Sequence, residues 1–225
     1  MIYVECAERD GLKINKKEII RYLGYKDIMP DDDVLELIDS VLEEALENMQ
    51  PRACFNVTDI NTDGKKIDFG AFEAESENLS KNLKNCEKAV VFCATIGADI
   101  DRIIFRYSKI SPSKAIVAQA TGAMLIEAFC NFLCEKLETE FKNKGFFLRP
   151  RFSPGYGDFE ISYQRKIFDF LNCSKHIGVS LTESLIMTPS KSVSGVIGIS
   201  VNDEKCEKQG CEECDKRNTC EYSRG

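Results

Sequence analysis

The sequence predicts an α+β fold, because helix-like and strand-like patterns alternate along the chain. Apolar residues recur at helical spacing in residues 31–49 and 113–141, whereas the apolar run at residues 89–94 is typical of a buried strand. The chain has 225 residues, of which 43% are hydrophobic and 30% are charged. This length and composition are ordinary for a soluble protein with one main domain.

The N-terminal part of the chain predicts two helices. Asn15 and Glu18 have the form of a capping box, and Gly24 stands where a glycine would end a short helix. Residues 31–49 begin with three aspartates, which complement the helix dipole, and Pro51 follows their end. We expect this second segment to be a long amphipathic surface helix.

The next segments predict strands. Residues 53–59 and 65–71 alternate in polarity and are joined through Asp63 and Gly64, a dipeptide typical of hairpin turns. We therefore expect these two segments to pair with each other. The apolar run at residues 89–94 is expected to form a buried strand that ends at Gly97.

One carboxylate interrupts the apolar stripe of the helix predicted at residues 113–141. Glu127 takes a place in a stripe whose other members are Ile116, Ala120, Ala123, Cys130, Cys134, Leu137 and Phe141. Burial of an unpaired carboxylate is costly. Glu127 therefore has a cationic or hydrogen-bonding partner, faces a ligand pocket, or lies at a solvated edge of the helix.

Residues 151–158, RFSPGYGD, combine an arginine with a stiff loop. Pro154 fixes φ, and Gly155 and Gly157 permit positive φ, so the backbone can turn sharply there. The guanidinium fork of Arg151 suits a carboxylate, and Tyr156 offers an aromatic face and a hydroxyl. The segment is typical of a small-molecule site.

Two further elements are expected after this loop. Residues 160–171 predict a helix with Ile161, Phe168 and Leu171 facing inward. Residues 184–187 and 193–201 predict an antiparallel pair that flanks the pocket.

Charge and composition exclude several classes of partner. A net charge of −7 and a pI near 5.0 argue against nucleic-acid binding. No uninterrupted apolar run reaches the roughly 18 residues of a membrane span, and the charged start of the chain lacks the apolar core of a signal peptide. We expect a cytoplasmic protein with no membrane partner.

The C-terminal segment is rich in cysteine. Residues 1–201 are expected to form one domain and residues 202–225 a tail, in which Cys206, Cys211, Cys214 and Cys220 have the spacing C-x4-C-x2-C-x5-C. Four thiolates at this spacing suit either zinc or an iron–sulfur cluster, and the alternative is a disordered tail with reduced thiols. Most other cysteines lie in or beside apolar runs and are interpreted as packing residues.

Three motifs stand in order along the second half of the chain: RFSPGYG, KHIGVSLTES and MTPSKSVSG. They resemble, in order and without gaps, the R-P-A-P-G-Y-P, K-H-T-G-M-K-L-T-E-S and M-W-P-G-A-S-V-S-G segments of one known family, the S-adenosylmethionine-binding activation (reactivation) domain of cobalamin-dependent methionine synthase. LIEAF resembles an L-A-E-A-F string in the family. Residues 110–201 are the best matched, and no resemblance covers the tail.

The resemblance implies a curved antiparallel sheet with flanking helices and a set of ligand contacts. Arg151 would bind the methionyl carboxylate of S-adenosylmethionine, Ser153 would bind through its backbone, Tyr156 would line the pocket, and Glu127 would contact the ligand. It also implies an accessory role in methionine synthase activity, a methyltransferase reaction of methionine biosynthesis. The partner would be a cobalamin-bearing methionine synthase or related corrinoid protein, with electrons from a flavodoxin or ferredoxin-type donor.

A second interpretation gives the protein another function. In this case it is an iron–sulfur or zinc redox or scaffold protein that serves a corrinoid methyltransferase without binding S-adenosylmethionine. The metal at the tail cysteines and the affinity of the arginine loop for the ligand distinguish the two interpretations.

Overall fold

The computed structural model describes residues 1–25 and 28–203. Its helices are α1 (Lys16–Tyr22), α2 (Asp32–Asn48), α3 (Glu77–Asn82), α4 (Asp99–Ile110), α5 (Pro112–Lys142), α6 (Tyr163–Leu171) and α7 (Cys173–Ile177). Its strands are β1 (Tyr3–Cys6), β2 (Arg52–Asp59), β3 (Asn61–Asp63), β4 (Lys66–Asp68), β5 (Glu73–Glu75), β6 (Cys86–Thr95), β7 (Phe147–Leu148), β8 (Ser180–Leu181), β9 (Met187–Thr188) and β10 (Ser192–Ser200). The predicted α+β class is confirmed.

The main sheet is antiparallel and has five strands in the order β1-β2-β6-β10-β7. Its central strand, β6, pairs with β2 on one side and with β10 on the other, so that Phe92 lies between Phe55 and Gly195. The sheet curls, which confirms the curved antiparallel sheet that the family resemblance implied. The remaining described strands form two smaller sheets, β3-β4-β5 and β8-β9.

Each face of the main sheet covers a separate hydrophobic core, since successive side chains of a strand point to opposite faces. Phe92 of β6 belongs to the core that contains α1, α2, α4 and α5, and we call this the helical core. Its neighbour Val91 belongs to a second core with α3, α6, α7 and β4, and we call this the loop-side core. The sheet is therefore the middle layer of the protein.

Helix α5 is the main helix of the helical core. Leu125 and Phe129 are fully buried within it. In the described part of the chain, α5 is long and apolar enough to cross a membrane, but 67% of its most apolar window is buried inside the fold. The sheet and the neighbouring helices account for that apolar surface. The predicted stripe is wrong at its start, because Ile116 is exposed.

The two N-terminal helices begin and end close to their predicted bounds. The Asn15 side chain accepts a hydrogen bond from the Lys17 N–H at the start of α1, while Glu18 pairs with Arg21 and does not close a capping box. Asp31 caps α2 by accepting from the Val34 N–H. Asx caps are local in sequence, which explains why they could be predicted.

Three details of the predicted elements are wrong. The turn at Gly64 joins β4 to β3, whereas residues 53–59 lie in β2 and pair with β1 and β6. Residues 193–201 belong largely to β10, which pairs with β6 and β7, and β9 pairs with β8. The helix predicted from residue 160 begins at Tyr163, so Ile161 is 44% exposed. In the two strand cases the local pattern is correct, but the tertiary fold selects a different partner strand.

Candidate functional site

The loop at residues 151–158 lies directly against strand β10. Its Phe152 N–H donates to the Val196 carbonyl at 2.9 Å, and the Val196 N–H donates to the Phe152 carbonyl at 2.8 Å. A side chain at Gly195 would collide with this loop, since a Cβ there would lie 2.9 Å from the Phe152 carbonyl oxygen and 3.0 Å from Ser153 Oγ. The glycine therefore permits the close approach of loop and strand.

The interior of the loop holds its own shape. The Gly155 N–H donates to the Phe159 carbonyl at 2.7 Å, and the Tyr156 N–H donates to the Ser153 carbonyl at 3.2 Å. Gly155 has φ +95°, a conformation that side chains disfavour. Pro154 and Phe159 are buried and fix the loop to the loop-side core. The loop is thus a rigid projection, as the sequence predicted.

Arg151 and Glu127 meet at the start of this loop. Arg151 Nη2 donates to Glu127 Oε2 at 3.0 Å, which joins the loop to the middle of α5. The Glu127 side chain is 47% exposed and that of Arg151 23% exposed, so the pair lies at the protein surface with the arginine deeper. Of the possibilities for Glu127, the structure shows a cationic partner at a half-solvated position.

The guanidinium of Arg151 is only partly used by this ion pair. Its Nη1 atom is buried and donates no hydrogen bond of normal geometry to any described residue. A buried donor without an acceptor is unfavourable. The site therefore has one cationic N–H group suited to an incoming acceptor.

Two thiols and a tyrosine surround the ion pair. Burial raises the pKa of Cys130 to about 12, although the nearby Arg151 charge opposes this shift. Burial likewise raises the pKa of Cys134, and Arg151 again opposes it. Burial also raises the pKa of Tyr22, and the negative charge of Glu127 adds to that effect. Both thiols are thus neutral at physiological pH, and the other charges of this region are Glu138 near Cys134 and the Arg21–Glu18 pair near Tyr22.

Ser153 and Tyr156 take different places from this pair. Ser153 is partly buried beside Gly195, and Tyr156 stands at the tip of the loop with 68% of its surface exposed. Among the described residues, no hydrogen bond or ring contact joins Tyr156 to Arg151 or Glu127. The structure thus brings two of the four predicted residues into contact and places the other two on the same loop.

The far end of the loop is held by a residue that had no predicted role. The Asp158 carboxylate accepts from Ser76 Oγ at 2.5 Å, from the Glu77 N–H at 2.7 Å and from the Asn78 N–H at 3.1 Å. Burial opposes ionisation of Asp158, but these hydrogen bonds outweigh it and lower the pKa of the carboxyl. Sequence spacing could not reveal this contact, because about eighty residues separate the partners.

Other candidate sites are less developed. One surface depression lies next to Cys134 and is lined by Gly11, Lys13, Ala128, Asn131, Phe132, Cys134, Glu135 and Glu138. It does not include Arg151, Ser153 or Tyr156. Within residues 1–25 and 28–203, no three His, Cys, Asp or Glu side chains are grouped so that they could hold a metal ion. The predicted ligands Cys206, Cys211, Cys214 and Cys220 lie outside the described residues.

The curled sheet, its two helical layers and a loop that presents an arginine define an α+β domain with a candidate anion site at its surface. Residues 78–224 match the family described as the activation domain of vitamin B12 dependent methionine synthase. The chain belongs to this family. The match begins before residue 110 and extends into the cysteine-rich segment, so it is longer than the resemblance seen in the motifs.

Comparison with solved structures supports the same fold. A structure described as the MetH reactivation domain bound to AdoHcy is 18% identical and has a TM-score of 0.71, over 91% of this chain and 80% of that chain. A second structure, an FMN-dependent nitroreductase from Clostridium difficile R20291, is 15% identical over 89% of this chain and 97% of that chain. Its TM-score of 0.25 is too low to indicate a shared fold.

Proposed function

We propose that this protein binds S-adenosylmethionine at the Arg151 loop and supports reductive methylation of cob(II)alamin on a partner protein. The observation that carries the proposal is the Arg151–Glu127 pair, in which a buried N–H of the guanidinium makes no hydrogen bond of normal geometry to a described residue and the Cys134 thiol is a weak nearby acceptor. Family membership and the AdoHcy bound to the related structure support it.

On this proposal, Arg151 grips the carboxylate of the amino-acid end of the ligand. A guanidinium presents parallel N–H groups whose geometry matches a carboxylate, and such charge-assisted hydrogen bonds are strong. Nη1 makes no hydrogen bond of normal geometry to a described residue, so a carboxylate that reached it would satisfy an unpaired donor. Because Nη1 is buried, the side chains that cover it would have to move when the ligand binds.

Glu127 and the loop backbone would hold the remaining polar groups. Glu127 is half-exposed and already lies 3.0 Å from Arg151, so a ligand with adjacent carboxylate and ammonium groups can pair with both residues. The Ser153 carbonyl accepts the Tyr156 N–H, and the Ser153 N–H donates to no backbone carbonyl among the described residues. That N–H is the natural backbone contact for a ligand at this loop.

Tyr156 would shape the outer wall of the site. Its ring is held at the tip of a rigid loop and is 68% exposed, so a ligand that extends from Arg151 toward solvent could stack on it. When bound, S-adenosylmethionine supplies a methyl group that its sulfonium already activates, so the protein needs no acid, base or nucleophile of its own. Its residues orient the ligand toward the partner.

The cobalamin belongs to the partner in this proposal. The partner is a methionine synthase or related corrinoid protein, and a flavodoxin or ferredoxin-type protein supplies the electron. The cytoplasm is the compartment in which these proteins would meet.

Calorimetry with S-adenosylmethionine tests the ligand site. We expect micromolar-range binding by the wild type and a loss of about 2 kcal/mol or more in Arg151→Ala, since a charged hydrogen-bond partner is removed. Arg151→Lys keeps the charge but not the fork and should also bind weakly. Arg165→Ala is the matched control. Arg165 lies on an exposed part of α6 and donates to the Glu183 carbonyl, so its replacement should leave S-adenosylmethionine binding unchanged.

Absence of binding by the wild type would reject the proposal. The redox or scaffold function would then be favoured, and the metal content and visible absorbance of anaerobically purified full-length protein would test it. Binding by the wild type that Arg151→Ala leaves intact would place the ligand elsewhere on the protein.

A further inference from the structure

We propose that Asp158 is a positioning residue, which sets the place of the Arg151 loop by tying it to the start of helix α3. This inference rests on the proposed function, since the loop is taken to hold the ligand. Asp158 itself would not touch the ligand. Its role would be to keep the loop in the geometry that binding requires.

The first argument is the complete set of hydrogen bonds at the start of α3. The first four N–H groups of a helix lack partners within the helix. Here Asp158 accepts those of Glu77 and Asn78, Ser76 Oγ accepts that of Leu79, and the N–H of the capping residue Ser76 donates to the Lys65 carbonyl. Ser76 Oγ in turn donates to Asp158. A residue of the loop thus completes the cap of a helix that is distant in sequence.

The second argument is the steric fit between the loop and α3. Gly157 has φ +54°, and a Cβ there would lie 2.3 Å from the Asn78 side-chain nitrogen. The loop is therefore pressed against the same turn of α3 that Asp158 caps. A water molecule in place of the Asp158 carboxylate could accept only two of these three hydrogen bonds. It would also not be bonded to the loop, so it could not hold the loop against α3.

The third argument is the position of this contact relative to the site. The loop is fixed at Phe152 by its two hydrogen bonds to Val196 and at Asp158 by its bonds to α3. Ser153 and Tyr156 lie between these two anchors. Without the second anchor, the loop beyond Ser153 would keep its internal hydrogen bonds and the buried Pro154 and Phe159, but it would lose every described hydrogen bond to α3.

Two measurements test this inference. The first is S-adenosylmethionine affinity, for which we expect Asp158→Ala to bind about tenfold more weakly, as a small displacement of a binding group is costly. Asp158→Asn keeps one acceptor oxygen and should recover part of the affinity. Asp31→Ala is the matched control, because it removes a carboxylate cap from α2, far from the loop in sequence, and should bind like the wild type.

The second measurement does not depend on the ligand. The chain has no tryptophan, so Tyr156→Trp places one fluorophore at the loop tip. In this background, Asp158→Ala should lower the fluorescence anisotropy and Asp31→Ala should not. Should Asp158→Ala fail to fold, both measurements are made on Asp158→Asn. We expect its affinity and anisotropy to be lower than those of the wild type, by less than for complete loss of the carboxylate.

The outcomes separate this inference from the proposed function. If the wild type binds no ligand, the proposed function fails, and the anisotropy alone decides whether Asp158 positions the loop. Unchanged anisotropy in the Asp158 variants overturns the inference, whatever the affinities. A lower anisotropy with wild-type affinity also overturns it, since the anchored geometry would then not matter for binding.

Discussion

At the residue scale, the charges of Arg151 and Glu127 are complementary. The neighbouring thiols and phenol have pKa values raised by burial, so they add no charge at physiological pH. Glu138 and the Arg21–Glu18 pair are further charges that act on these neighbours. An ionic ligand at Arg151 would therefore pair first with Arg151 and Glu127, which are in direct contact with each other.

Removal of the Glu127 charge should weaken the binding of a zwitterionic ligand. Glu127→Gln keeps the shape of the side chain but loses the charge that pairs with an ammonium group, so we expect about tenfold weaker binding of S-adenosylmethionine by calorimetry. Glu140→Gln is the control, because Glu140 lies on the same helix as Glu127 and forms an exposed ion pair with Lys144, just beyond the end of that helix. If the two variants bind S-adenosylmethionine with equal affinity, Glu127 is not part of the ligand site.

The buried thiols should make the protein less stable at alkaline pH. The folded pKa of Cys130 is raised to about 12, above the unfolded value of about 8.5, so the folded state binds more protons between these values. Stability is then fully present below pH 8.5 and is lost as pH rises, by up to about 1.4 kcal/mol per pH unit for this thiol.

Urea unfolding at pH 7.5 and pH 9.5 measures this effect. Cys130→Ala should lower stability at both pH values but reduce the difference between them. The Cys54 pKa is raised mainly by its hydrogen bond to Cys173 and then by burial, so Cys54→Ala should act in the same direction. If neither variant reduces the difference in unfolding free energy between pH 7.5 and pH 9.5, groups other than these thiols titrate in this range.

At the element scale, the loop and strand β10 depend on each other. Gly195 is the point of contact, because a Cβ there would meet backbone and not only flexible side-chain atoms. Phe92 on the neighbouring strand also fills the space that the glycine leaves, with its ring 3.0 Å from the ideal Cβ position. The absence of a side chain at Gly195 thus leaves room both for Phe92 in the helical core and for the Arg151 loop.

Gly195→Ala should disturb stability and binding together. We expect a loss of about 1–3 kcal/mol in unfolding free energy, as for other overpacked sites, and weaker S-adenosylmethionine binding because the loop is pushed from β10. Gly11→Ala is a matched control, since its new Cβ would make an ordinary 3.4 Å contact with Phe132. Wild-type affinity in a destabilised Gly195→Ala would show that the loop adapts.

Local sequence signals predicted the helices and the loop well. They did not predict which strands pair or which distant segments contact the loop. The cap at Asn15, the acidic start of α2 and the turn residues of the loop act over a few positions, so the sequence reveals them directly. The pairing of β2 with β6 and the anchoring of Asp158 at α3 join distant segments, and no spacing encodes them. Cys130 and Cys134 share a helical face with Glu127, so their closeness to the site could have been inferred.

At the scale of the whole molecule, the main sheet joins two cores into one unit. Strand β6 contributes Phe92 to the helical core and Val91 to the loop-side core, and both are fully buried. Loss of packing in either core would therefore loosen the strand that supports the other. We expect the described domain to unfold as one cooperative unit.

Matched substitutions in the two cores test this cooperativity. Phe129→Ala in the helical core and Phe69→Ala in the loop-side core should each lower stability by about 3–5 kcal/mol, since both rings are fully buried. Far-UV and near-UV circular dichroism should still give coincident urea transitions. Separate transitions in either variant would mean that the two cores are independent.

The position of β10 has a consequence for biosynthesis. This strand is the last of the described chain, yet it lies beside β6 in the interior of the sheet and carries the contact for the Arg151 loop. A polypeptide emerging from the ribosome must wait for residues 192–200 before its sheet can close. Until then α5 has no complete cover, so this helix stays accessible to chaperones while residues 143–200 are synthesised.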